Sequence, residues 1–130
     1  MENNVAVIGI TQGMKVLKVK QAMIDGSSFS DVSAKNIKIT DANLSGLEIE
    51  GAQIGGAFIH NIGMPPKGHP MYNPDARQRP VRFENCDLNN STITNCNLEN
   101  LVIGDCNVTG MKINGVLLED LLKAYQKVHG

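Results

Sequence analysis

Residues 81–115 read VRFEN CDLNN STITN CNLEN LVIGD CNVTG MKING, seven consecutive blocks of five. The same period runs backwards to residue 22, with one interruption, and onwards to residue 118. The third residue of each block, from Ile24 to Met64 and again from Phe83 to Leu118, is large and apolar at every position but Ala34. The first residue is small or apolar throughout, and none of these first or third positions carries a charge in a chain that is 19% charged. Such a pattern predicts a buried face. The fifth residue is the more informative one: Gly26, Asp31, Asn36, Asp41, Gly46, Gly51, Gly56 and Asn61, then Asn85, Asn90, Asn95, Asn100, Asp105, Gly110 and Gly115. Gly, Asn and Asp share a tolerance of left-handed backbone, Gly through its missing Cβ and the others through local side-chain hydrogen bonds. The chain therefore turns every five residues. That spacing excludes a helix and is too short for ordinary strands, so it predicts an all-β solenoid of short straight segments stacked about 4.8 Å apart.

The blocks ANLSG (42–46), CDLNN (86–90) and CNLEN (96–100) resemble those of pentapeptide-repeat proteins: a small residue, Asn or Asp, Leu or Phe, then two variable positions. The resemblance covers about three quarters of the chain, with departures at the second position, where Lys38, Glu48, Gln53, Thr92 and Val102 stand. It implies a right-handed quadrilateral β-helix with four blocks per coil, so that residues twenty apart stack. On such a coil Cys86 and Cys106 would lie one above the other and Cys96 would point inward from the opposite side. With no CxxC pair and no histidine partner, the three read as buried, reduced thiols rather than a metal or redox site.

In chain order, residues 1–21 are expected to form an N-terminal strand and cap, with the strand at 4–10 covering the first coil. Residues 22–64 give the first repeat coils and 81–118 the second. Between them lies an insertion, residues 65–80, PPKGHPMYNPDARQRP, which holds all five prolines of the chain. Proline cannot donate to a hydrogen-bond ladder, and a stiff loop loses little entropy on binding. Lys67, His69, Tyr72, Arg77 and Arg79 make this loop the candidate binding element, with the competing expectation that a basic loop folds back on the mildly acidic repeats. Residues 119–130 have a helical period, and Leu118, Leu121, Leu122, Tyr125 and Val128 form one apolar stripe suited to capping the last coil or pairing two copies. The resemblance adds that some pentapeptide-repeat proteins dimerise through C-terminal helices.

A net charge of −1 gives no general attraction to nucleic acid or membrane. No stretch has the length of a membrane span, and the opening MENNVAVIGI lacks a charged leader, which together predict a cytoplasmic protein. His60, His69 and His129 are the candidates for acid–base chemistry, but no nucleophile or orienting carboxylate accompanies them, so they read as solvated side chains. The expectation is a non-catalytic scaffold, with no cofactor and no metal, that binds a protein partner and forms a homodimer. The resemblance supplies an alternative, mimicry of duplex DNA to modulate a type II topoisomerase, which would require a long acidic rod. A small enzyme built around the loop is the third reading.

Overall fold

The computed structural model describes residues 5–130. Its contacts divide the chain into two units, Met1–Arg79 and Pro80–Gly130. In both, the five-residue period is written into the backbone. Positive φ recurs at Asp31, Asn36 and Asp41 (54°, 60°, 51°) in the first unit and at Asn85, Asn90, Asn95, Asn100 and Asp105 (52–64°) in the second. These are the positions where Gly, Asn and Asp stand, and most other side chains would be strained there.

The corners are of two alternating kinds. At one kind a backbone hydrogen bond closes a turn: Ser27 N donates to Ile24 O (3.1 Å), Leu47 N to Leu44 O (3.0 Å) and Ala57 N to Ile54 O (2.9 Å). Ser91, Leu101 and Met111 donate in the same way to Leu88, Leu98 and Val108. The intervening corners, at Asp31, Asp41, Gly51, Asn85, Asn95 and Asp105, are bends. The structural repeat is therefore ten residues long, a turn block followed by a bend block. Four turn blocks have a side-chain reason to turn: the second-position carboxamide or carboxylate of Asn43, Asp87, Asn97 and Asn107 accepts from the backbone N–H two residues on, at 3.0–3.1 Å. Lys38, Glu48, Thr92 and Val102 fall in bend blocks, whereas Gln53, like Met23 and Ser33, stands in a turn block that turns without such an acceptor.

The closed architecture expected from the period is not found. Strand structure among the described residues consists of β1 (Lys112–Ile113) and β2 (Val116–Leu117), antiparallel, with Lys112 opposite Leu117 and Ile113 opposite Val116. The all-β solenoid and its right-handed quadrilateral β-helix are thus corrected to a mostly irregular chain with periodic corners. Residues 5–21 form no strand, and position 4 lies outside the described residues. Nor is the apolar face buried: among the described residues none is fully enclosed, Leu98 being 46% and Ile93 65% exposed. The physical reason lies in what a period specifies. Corner spacing sets where the chain turns, whereas stacking depends on backbone pairing between successive turns, which a period alone does not specify. Within the repeats the hydrogen bonds join residues three apart, closing corners rather than linking one turn of chain to the next.

The β1–β2 connection is Asn114-Gly115, with φ of 48° and 82°. Both signs are those of a type I′ hairpin turn, for which Asn-Gly is the preferred pair. The hairpin leads directly into α1 (Leu118–His129). Glu119 and Asp120 occupy its first turn and Lys127 and His129 its last, as the helix dipole favours. Leu117 at the N-cap provides no side-chain cap. The start of the helix is instead held from the last repeat, where Gly110 N donates to Glu119 Oε1 (3.0 Å), and Leu118 N donates back to Met111 O (2.9 Å).

Candidate functional site

The inserted loop is built from three short turns in succession. His69 N donates to Pro66 O (3.0 Å), Tyr72 N to His69 O (2.9 Å) and Ala76 N to Asn73 O (3.2 Å). Two side chains reinforce them: Met71 N donates to His69 Nδ1 (3.0 Å) and Asp75 N to Asn73 Oδ1 (3.0 Å). A ring nitrogen that accepts from an amide carries no proton, so neutral His69 is protonated at Nε2. Prolines 65, 66, 70 and 74 fix φ along the same stretch. The loop is ordered by its own backbone, which is the property a preformed recognition element needs.

The five loop residues singled out from the sequence do not share one role. Arg77 turns into the loop, its Nη1 donating to Pro74 O (2.8 Å) and Ala76 O (3.0 Å), and acts as a clamp. Arg79 reaches back to the repeats, where its Nη2 comes within 3.6 Å of where a Cβ on Gly46 would stand. Gly46 has φ of 80° at a hydrogen-bonded corner, so the guanidinium covers bare backbone. His69 is engaged through Nδ1. Lys67 and Tyr72 remain as exposed side chains with no hydrogen bond within the loop, Tyr72 being 42% exposed. The five read alike in the sequence because composition reports charge but not the direction a side chain takes.

The three histidines are each occupied locally. His60 stacks on Phe58, ring centroids 3.9 Å apart and nearly parallel, two residues along the same side of an extended segment. His129 stacks on Tyr125 at 4.4 Å, one helical turn away. Cys86, Cys96 and Cys106 are free and exposed, contrary to the buried ladder expected. Each Sγ lies 3.1–3.3 Å from the carbonyl oxygen two residues earlier, of Glu84, Thr94 and Gly104. Their spacing of ten places all three at the first position of turn blocks, a regularity the ten-residue repeat explains.

On α1, Leu121 and Leu122 are 43% and 48% exposed, and Tyr125 and Val128 more so, while Leu118 is half-buried. Leu118 and Leu122 line an apolar gap of about 550 Å³ with Leu98, Leu101, Ile103 and Met111. Leu121, Tyr125 and Val128 are not part of that lining. Among the described residues no helix is long and apolar enough to cross a membrane. Compared with family models, curated proteins and solved structures, the chain matches none.

Proposed function

We propose that this chain is a non-catalytic, pentapeptide-repeat-like interaction scaffold, in which the loop at 65–80 meets a protein partner and α1 contributes to self-association. The observation that carries the reading is the internal ordering of the loop: three consecutive turns, clamped by Arg77, hold Tyr72 and Lys67 outward on a fixed backbone. An aromatic with a polar tip and a cation on one preformed loop, displayed at little entropic cost, are the composition of a binding anchor. The apolar stripe of Leu121, Tyr125 and Val128 on α1, left open within its own unit, supports the homodimer.

The test is an affinity pull-down comparing wild type with Lys67→Ala/Tyr72→Ala and with a variant in which residues 66–79 are replaced by a short Gly-Asn link. Partners retained by wild type and lost from both variants support the loop. A partner set unchanged by either variant refutes it.

A further inference from the structure

The last repeats, the hairpin and α1 frame the gap of about 550 Å³, a size inside the roughly 300–1,000 Å³ of small-ligand pockets. Leu98 and Ile103 reach it from the repeats, Ile113 from β1, and Leu118 and Leu122 from α1. Bonds between these elements fix the frame: Leu118 N donates to Met111 O (2.9 Å) and Gly110 N to Glu119 Oε1 (3.0 Å). Much of the backbone at the wall is already engaged. The amides of Leu101 and Met111 donate to the carbonyls of Leu98 and Val108, and Ile113 is paired with Val116 across the hairpin. An occupant therefore meets hydrocarbon side chains here rather than a free ladder, which suits a ligand held by apolar contact and not an added strand.

The wall also carries a charge. Among the described residues that line the gap Asp105 is the charged one, and it forms no ion pair within the chain. A carboxylate on an otherwise apolar wall attracts a cation and repels an anion. We propose that this gap binds an amphiphilic cation, an amine with a hydrocarbon tail, its ammonium group beside Asp105 and its tail along Leu98, Ile103 and Leu122. Size, apolar wall and the sign of the charge together select that ligand class. The lining includes neither the loop at 65–80 nor Leu121, Tyr125 and Val128, so the site is separate from both elements of the proposed function and its failure would leave that reading untouched.

The experiment is calorimetric titration of the full chain with dodecylammonium, kept below micelle formation. Dodecanoate supplies the same tail with the opposite head, and tetramethylammonium a cation without the tail. Dodecylammonium should bind once per chain and about tenfold more tightly than dodecanoate, the scale of one screened charge contact near water, and tetramethylammonium should not bind measurably. Asp105→Asn accepts the same left-handed φ of 52°; it should keep dodecylammonium binding, weakened, and erase the preference over dodecanoate. Leu122→Lys sets a cation in the gap and should abolish binding, whereas Leu121→Lys, outside the lining, should not. The thiols report where the ligand sits. Cys86, Cys96 and Cys106 share one block position and one contact to a carbonyl two residues back, but of the three Cys106 alone lines the gap. Ligand should slow alkylation of Cys106 several-fold and leave the other two unchanged. No saturable uptake by wild type, a preference that survives Asp105→Asn, binding unaffected by Leu122→Lys, or equal slowing at all three thiols, which marks a detergent-like coat, would each overturn the proposal. Loss of binding in both lysine variants would trace to α1 itself, and Asp105→Asn then decides.

Discussion

Replacing Glu119 tests whether the last repeat holds the start of α1. Leu117 gives no side-chain cap, and a helix of 12 residues is short enough to be marginal on its own. Two contributions meet at Glu119. Its Oε1 accepts the Gly110 amide at 3.0 Å, and because the site is exposed the bond is assigned about 1 kcal/mol, below the roughly 1.5–3 kcal/mol of a bond to a charged group. Its negative charge in the first turn adds about 0.3–1 kcal/mol through the dipole. Glu119→Ala loses both, about 1.5 kcal/mol in all, enough to shift the balance between formed and frayed first turn about tenfold. Glu119→Gln keeps an oxygen acceptor and should lose about 0.5 kcal/mol. Asp120→Ala sheds a first-turn charge with no tie to Gly110 and should resemble the Gln variant. The assay is ellipticity at the helical band through a thermal melt, with amide exchange at Gly110 as the local probe. Gly110 exchange should rise in Glu119→Ala and not in Asp120→Ala. Equal melts and equal Gly110 exchange in all three variants would refute the reasoning.

Asn97→Ala removes the acceptor for the Glu99 amide and should cost about 0.5–1.5 kcal/mol, seen as faster exchange at Glu99 and Leu101; Thr92→Ala, in a bend block, should leave both amides unchanged. Gly46→Ala should be strained by about 1–2 kcal/mol because φ there is 80°, loosening the Leu47 amide, whereas Gly55→Ala, at ordinary φ with open space around its Cβ, should be silent. Arg77→Ala removes the loop's clamp and should speed chymotryptic cleavage after Tyr72 several-fold, while Lys67→Ala should not. In a supercoiling assay with a type II topoisomerase the chain should not relieve quinolone inhibition, since its slight charge gives no acidic rod; relief would restore the DNA-mimic reading.

The corners were legible in the sequence because only Gly, Asn and Asp accept left-handed backbone cheaply, so Asn85 through Gly115 announced themselves. The ten-residue alternation was legible in part, in the contrast of Asp87, Asn97 and Asn107 with Thr92 and Val102, but not where Met23, Ser33 and Gln53 stand in turn blocks. It is missed when every block is aligned to one five-residue pattern and the second set is treated as departures. Asn114-Gly115 is a hairpin signal that a uniform repeat likewise absorbs as one more corner. The helix at Leu118–His129 followed from its change of period. Closure did not follow, because the period states where the chain turns and not whether one turn pairs with the next. The same limit applies to the loop: five polar side chains were visible, but the inward turn of Arg77 depends on carbonyls whose orientation only the folded turns fix.

The alternation of turn and bend gives the repeat a parity, and parity constrains how the gene can change length. Removing ten codons takes out one turn block and one bend block, and every downstream corner keeps its kind. Removing five sets two blocks of the same kind side by side and breaks the alternation at the cut. The loop at 65–80 obeys the same arithmetic. The block centred on Met64 is due to be a turn block, and the chain resumes at residue 81 with a bend block. The extra residues have grown out of a single corner while keeping the order of turn and bend across it, so the repeats beyond the loop read as though it had never been added.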